Sequence, residues 1–493
     1  NIRMNNIFDK LKNYSDSDYY AFHMPGHKRN LDLMDGTSPY RIDITEIDGF
    51  DDLHHAEGIL RDAQERAARV YHADETHFLV NGSTVGILSA ILGTTEKGDS
   101  ILVARNCHKS VYHAIYLNEL DPVYLYPKFD TEQGLSTEID AADVQKALEE
   151  HPKIRAVMIV SPTYDGVVSD IEKIAEIVHA KGCPLIVDEA HGAHFGFDPY
   201  FPKSANIYGA DLVINSLHKT LPALTQTALL HVNGDMVKRR KVKQYLDMLQ
   251  TSSPSYILMA SIDACIGMLE ETLETHSDAR SDYKYKNKNI FSEYANRIEA
   301  LRKDLKRLKY LKIIQTDNTD RYDRSKFVIS VKHAPMSSHE LYEILLHRYH
   351  LQMEMLAGTY VLAMTTVGDT QEGLDRLRDA LLEIDKEIDT RQGRPAAIET
   401  DLPLSGRQPA LEKVWTIAEA VNRRDKIQKR RFEDSIGCIS VEYAYLYPPG
   451  SPLIVPGERI TKEAVEILHW YQEHDFSIEG LQSEDGIEVW IDG

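Results

Sequence analysis

The pentapeptide Asn215-Ser-Leu-His-Lys219 closes an apolar run, and open α/β sheets place their ligands at the carboxyl ends of their strands. A lysine there can condense with an aldehyde cofactor as a Schiff base, and Ser216 and His218 are polar neighbours able to hold a phosphate or move a proton. A surface lysine after a strand has the same local sequence. Asp188 ends the run Pro184-Leu-Ile-Val-Asp188, thirty-one positions before Lys219, which suits a neighbouring strand end of the same sheet. A carboxylate there can keep a pyridine nitrogen protonated and make the ring an electron sink; a helix cap or a magnesium ligand would look alike. Asn81-Gly-Ser-Thr84 lies between a strand and an apolar helix. Gly82 permits a tight turn, and the amides and hydroxyls of Ser83 and Thr84 at a helix N-terminus suit a phosphate, with a plain N-cap as the alternative.

The elements that must position these residues follow from the apolar pattern. From about residue 56, seven short β-branched runs alternate with longer amphipathic stretches: Phe78 to Val80, Ile101 to Arg105, Val123 to Tyr126, Ala156 to Ser161, Leu185 to Asp188, Asp211 to Asn215 and Ala228 to Val232. Helical spacing such as Ile171, Ile174, Ile177 and Val178 falls between them. This is the pattern of an α/β fold with a mainly parallel seven-stranded sheet. Two helices broken at Thr251-Ser-Ser-Pro254 follow, then a charged boundary around Asp278 to Lys288. A second alternation predicts a smaller α/β domain: strand Phe327 to Val331, helix Ser338 to Tyr349, strand Tyr360 to Thr365 and helix Glu372 to Ile388. The prolines at 395, 403 and 409 mark a linker. The expected division is an N-terminal arm (1–55), a large domain (56–285), a small α/β domain (286–390) and a C-terminal domain (410–493).

Composition narrows the functional classes. The chain has 493 residues, 42% hydrophobic and 27% charged, too long for one compact core and too apolar for disorder. Its net charge of −21 opposes gripping nucleic acid or an anionic membrane and suits cationic small molecules. Cys107, Cys183, Cys265 and Cys438 stand far apart, which writes neither a zinc ribbon nor a disulfide framework and points to a reducing cytoplasm. No apolar run approaches the roughly 20 residues that span a bilayer, and Asn1 to Tyr20 is polar and carries acids where a signal peptide would be apolar.

Seven motifs in register carry a specific resemblance. They are His23-Met-Pro-Gly-His-Lys28, Asp51-Asp-Leu-His-His55, Asn81-Gly-Ser-Thr84, Arg105-Asn-Cys-His-Lys-Ser110, Asp188-Glu-Ala-His191, Ser216-Leu-His-Lys219 and Tyr447-Pro-Pro-Gly450. From about residue 20 to about residue 460 the chain resembles the prokaryotic ornithine/lysine/arginine decarboxylases of aspartate-aminotransferase fold (fold type I), in particular the wingless arginine/lysine decarboxylases of Gram-positive type. The resemblance implies an enzyme using pyridoxal 5'-phosphate to remove the α-carboxylate of a basic L-amino acid, arginine to agmatine ahead of lysine to cadaverine or ornithine to putrescine, in polyamine metabolism or acid resistance. It implies that Lys219 carries the cofactor as a Schiff base, that Asp188 pairs with the pyridinium nitrogen, and that His108 and Ala190 cover the two ring faces. Gly82, Ser83, Thr84, Ser216 and His218 would surround the phosphate, and His191 stands where some relatives have tryptophan. Lys219 or His218 would return a proton to Cα. Glu442 falls where related enzymes place an acid facing the substrate's distal cation. Thr251-Ser-Ser253 matches a stretch that reaches the neighbouring subunit's phosphate, which implies a homodimer with its active site at the interface. The start almost directly at His23-Met-Pro-Gly, without a wing domain, favours dimers over a wing-built decamer.

Other readings are weaker. Asp188-Glu-Ala-His191 also spells a helicase box, but no phosphate-cradling G-x-x-x-x-G-K-[ST] accompanies it. His54, His55, Asp188, His191 and His194 could serve a metal hydrolase, yet no H-E-x-x-H is present, so no metal is expected. An aminotransferase or another lyase of the same fold is the alternative within the cofactor class.

Overall fold

Runs of Val, Ile and Leu with no polar alternation belong to strands covered on both faces, as parallel sheets are. The computed structural model, which describes residues 16–23, 26–28, 30, 39, 43–274, 289–315, 319–390, 408–446 and 450–491, gathers seven such runs into one sheet. They are β1 (Glu75–Leu79), β2 (Ser100–Ala104), β3 (Asp121–Leu125), β4 (Ile154–Val160), β5 (Leu185–Asp188), β6 (Leu212–Asn215) and β7 (Ala228–Val232). Their order is β1-β7-β6-β5-β4-β2-β3. The neighbours from β6 across to β3 are parallel, and β7 lies antiparallel to both β6 and β1. The expected runs and the observed strands agree to within three residues at each end. Because β3 and β4 pair on opposite sides of β2, the crossovers separate there and leave a crevice at the strands' carboxyl ends.

Three smaller sheets follow. Lys312–Ile314, Lys326–Ser330, Tyr360–Met364 and Met355–Leu356 form an antiparallel sheet in that order, covered by helices that include Ser338–His347 and Gln371–Thr390. Beyond residue 408 come a five-stranded and a three-stranded sheet with the helix Lys462–Glu473 packed between their apolar side chains. The helices expected on either side of Thr251-Ser-Ser-Pro254 are Arg239–Leu249 and Tyr256–Glu274. The charged boundary at 278–288, the linker prolines 395 and 403, Met24, Pro25 and the Tyr447-Pro-Pro449 part of the last motif lie outside the described residues. No helix among the described residues is long and apolar enough to cross a membrane.

One buried polar chain ties the middle strands together. His231 on β7 sits between Thr76 Oγ1 (2.7 Å from Nδ1) and Asn215 Oδ1 (3.0 Å from Nε2). Asn215 Nδ2 in turn donates to Glu189 O and Oε2, so the ring donates from Nε2 and accepts at Nδ1. Burial, with a smaller push from His77, lowers the His231 pKa to about 3. The folded state therefore keeps this ring neutral while the unfolded chain takes up a proton below about pH 6.5, and stability is lost as pH falls from there towards 3. Between pH 6.5 and 5 this one ring should cost roughly 2 kcal/mol. Urea unfolding at the two pH values should show a shallower loss in His231→Gln than in the parent chain, and equal slopes would refute the assignment.

Candidate active site

The crevice holds a cavity built from five strand ends. After β1 comes Ser83, after β2 Asn106 and His108, after β4 Thr163, Tyr164 and Asp165, after β5 Ala190 and His191, and after β6 Lys219; Asp188 itself ends β5. The opposite wall comes from the hairpin Met355 to Tyr360 and from Gln408, Tyr445, Leu446, Leu468 and Tyr471 beyond the linker.

Lys219 Nζ lies 3.1 Å from His191 Nε2. Burial lowers the lysine's pKa, against the pull of Asp188 and Glu354, so its amine is held closer to the neutral, nucleophilic form than a surface lysine. Burial raises the Asp188 carboxyl, with Lys219 drawing it back, and the Ala190 amide donates to its Oδ1 (3.1 Å). His191, 5% exposed, is driven well below its usual range by burial and then by Lys219. Its ring is neutral, and the tilted Tyr164 ring lies against it with centroids 4.4 Å apart. His108 caps the helix Lys109–Leu117 by accepting from the Ser110 amide (3.3 Å) and pairs with Ser110 Oγ (2.9 Å). Burial, then Lys219, lowers its pKa to about 3.

The anion end is the N-terminus of the helix Gly82–Thr94. Gly82 has φ +73°, a conformation that disfavours any side chain, and its amide donates to Gln226 O (2.9 Å). Ser216 Oγ bonds Ser83 Oγ (2.9 Å), so two hydroxyls meet at the positive end of the helix dipole. Thr84 is exposed on the first turn, and Thr251, Ser252 and Ser253 are exposed beside it, with the Thr251 amide donating to Asn81 Oδ1 (3.2 Å).

The first motif holds the lysine turn from behind. The Gly26 amide donates to His218 O (2.6 Å), and Gly26 O accepts from Thr366 Oγ1 (2.6 Å). A Cβ on Gly26 would stand 2.7 Å from both the N and the O of Leu221, so only glycine lets the two backbones approach so closely.

Five expected residues do not line the cavity itself: Gly82, Thr84 and Ser216 stand beside Ser83 at the anion end, and His218 and Glu442 are held elsewhere. His218 does not line it: Nδ1 lies 2.9 Å from Thr227 O, which turns the ring away, and burial lowers its pKa to about 4. Nor does Glu442. Its two oxygens accept the amides of Gln482 (2.9 Å) and Glu488 (2.7 Å), which fixes the carboxylate inside the C-terminal sheets of its own chain. Sequence reading also passed over Tyr164, Asp165 and Tyr360, all of which line the cavity. The signal was present, because Pro162 and Gly166 bracket a loop at the carboxyl end of an apolar strand. The histidines weighed as metal ligands disperse: His54 faces Asp247 and Thr251 O, His194 faces Asp323, and among the described residues no three His, Cys, Asp or Glu gather around a metal position.

Comparison with known proteins meets this geometry. The family model for the Orn/Lys/Arg decarboxylase major domain matches residues 5–339, and the model for the C-terminal domain of the same family matches residues 407–489. The chain belongs to the Orn/Lys/Arg decarboxylase family. It is accordingly a carboxy-lyase of α/β fold. Among its relatives, a Bacillus subtilis protein named "Uncharacterized protein YaaO" is 35% identical over 94% of this chain and 93% of its own length. The arginine decarboxylase of Bacillus subtilis is 30% identical over 94% and 92%. The crystal structure of the Francisella novicida lysine decarboxylase shares the fold, with a TM-score of 0.78 at 19% identity, over 98% of this chain and 80% of that one.

The cavity has the donors that a phosphorylated pyridine aldehyde needs: an amine, a buried carboxylate and paired hydroxyls at a helix N-terminus. His191 and Asn106, both in its wall, each leave a buried polar atom, Nδ1 and Oδ1, without a hydrogen-bond partner among the described residues. Orphaned buried polar atoms are costly, and a bound polar ligand would relieve both.

Proposed function

We propose that this decarboxylase of the Orn/Lys/Arg family acts on arginine, releasing carbon dioxide and agmatine, with pyridoxal 5'-phosphate held by Lys219. The observation that carries the reading is the convergence of Lys219, Asp188 and His108 on one cavity, together with relatives named arginine decarboxylase that match nearly end to end.

When bound, the cofactor's ring accepts the electron pair left at Cα as carbon dioxide departs. Asp188 would pair with the ring nitrogen and stabilise its protonated form electrostatically. His108 and Ala190 would cover the ring, and Ser83, Ser216 and the Gly82 turn would take the phosphate, with Thr84 beside them. Lys219 Nζ would hold the cofactor, and the same amine, close to its neutral form, would serve as the group that returns a proton to Cα. His191 Nε2 accepts from Nζ and so keeps the lysine aimed into the cavity. His218 acts indirectly, since its carbonyl accepts Gly26 N–H and its ring anchors on Thr227 O. Tyrosines and leucines on the C-terminal wall exclude water from the reacting centre.

A second copy of the chain would place its Thr251 to Ser253 segment over the exposed phosphate edge, making a homodimer, or a higher oligomer of such dimers. The inferred domains remain 1–55, 56–285, 286–390 and 410–493. Four free cysteines, three of them buried, suit a reducing cytoplasm.

The test incubates cofactor-loaded protein separately with arginine, lysine and ornithine and reads the products by mass spectrometry. Agmatine as the dominant product is expected. Dominant cadaverine or putrescine would move the substrate within the family, and no product from any of the three would overturn the reading.

A further inference from the structure

A basic amino acid bound through its α-amine must bury the charged end of its side chain in the same cavity, and a desolvated cation needs an acid beside it. Only two acids line the cavity among the described residues, Asp188 and Asp165. Asp188 shares the lysine end. Glu442, the sequence-based candidate, has both oxygens committed to backbone amides and lies outside the cavity.

Asp165 sits in the turn after β4, between Tyr164 and the positive-φ Gly166. Its Oδ1 accepts the Tyr360 hydroxyl at 2.5 Å. Tyr360 lies on the hairpin wall near Tyr471, and the charges that act on Lys219 are those of Asp188, Glu354 and Lys326, with Asp165 not among them. Lys326, the cation whose charge Asp165 feels, is committed to Asp323 Oδ2 (2.8 Å) and Ser325 Oγ (3.4 Å). Asp165 is thus a half-buried acid in the cavity wall with one neutral protein partner at that oxygen and no cation bonded to it, and desolvation pushes its pKa up to about 6. An arriving guanidinium or ammonium would supply the missing charge.

We infer that Asp165, oriented by Tyr360, receives the distal cation of the substrate and so sets the preference for basic over neutral amino acids. This rests on the reading of the protein as a basic-amino-acid decarboxylase and names the specificity residue of that site.

The test compares the cofactor-loaded parent enzyme with Asp165→Asn, Asp165→Glu and Tyr360→Phe. For each, kcat/KM is measured for arginine and for norleucine, which has no distal charge, and agmatine binding is measured by calorimetry. In Asp165→Asn the arginine-to-norleucine ratio should fall on the order of 10- to 100-fold, with a matching loss of agmatine affinity, because truncating one partner of a buried charge pair has effects of that size. Asp165→Glu should recover part of both. A purely structural role would lower both substrates together and leave the ratio within twofold, which overturns the inference. Should Asp165→Asn fail to fold, Tyr360→Phe decides: a three- to tenfold fall in the same ratio, about the weight of one hydrogen bond, supports the inference, and an unchanged ratio overturns it. If the parent yields no product from any basic amino acid, the proposed function fails and agmatine calorimetry judges Asp165 alone. Binding that weakens at least tenfold in Asp165→Asn, or threefold in Tyr360→Phe, then supports the cation site, and unchanged binding overturns it.

Discussion

Lys219→Ala should leave the protein folded but unable to hold its cofactor covalently, with turnover lower by roughly three orders of magnitude or more, the combined weight of the anchoring amine and a positioned proton donor. The visible absorption of the lysine-bound cofactor should vanish, and product formation should be measured by mass spectrometry with cofactor in excess. The alternative donor, His218, has its ring fixed on Thr227 O outside the cavity. Turnover near the parent rate in Lys219→Ala would therefore overturn the whole assignment of proton transfer, not merely exchange one donor for its neighbour. The same substitution removes the partner of His191 Nε2, leaving a ring with neither nitrogen bonded.

Glu458→Gln should produce the largest loss of stability among single polar substitutions. Arg105 is fully buried at the end of β2, and its guanidinium holds both Glu458 oxygens (3.1 and 2.9 Å) and the carbonyls of Pro452 (2.5 Å) and Leu453 (3.2 Å). Glu458 also accepts the Val455 amide (2.9 Å). Neutralising one partner of a buried, hydrogen-bonded pair strands the other charge, at a cost of about 3–5 kcal/mol. Urea denaturation should show a midpoint lowered accordingly, and limited proteolysis should release the chain beyond residue 408 first. A change below about 1 kcal/mol would mean that water reaches Arg105. Replacing both partners with apolar residues of similar volume should recover much of the loss, since the desolvation cost of both charges then disappears.

The strands and the acids on their ends were legible because a parallel sheet writes itself as uninterrupted β-branched runs. Asp188 and Lys219 each follow such a run directly, so the convergence of the two follows from strand order alone. The direction of the His218 ring was not legible, because sequence adjacency to Lys219 says nothing about ring direction on a four-residue helical turn. Thr227, nine positions later, supplies the carbonyl that turns the ring away. The surroundings of Glu442 were hidden for a related reason. Its neighbours in sequence suggested a site, while the amides that fix its carboxylate come from residues 482 and 488, and pairings of that separation leave no local trace. Asp165 and Tyr360 are 195 positions apart. Neither is unusual in its own segment, and only the small sheet's return to the crevice brings them together. The sequence-based reading of Arg105 as part of a motif was sound, but its partner Glu458 lies 353 residues away.

The cavity wall runs from Ser83 to Ile478, so the ribosome has released nearly all of the chain before the site can close. A nascent chain that has folded its central sheet already presents Lys219 at an open edge. Arg105 meanwhile waits with an unpaired charge for Glu458, 353 residues on, which takes on the order of tens of seconds to reach at roughly 5–20 residues per second. Docking of the last segment thus closes the cavity around Lys219 and pairs Arg105 with Glu458 together, which makes completion of the site and completion of the fold a single late step in the life of the molecule.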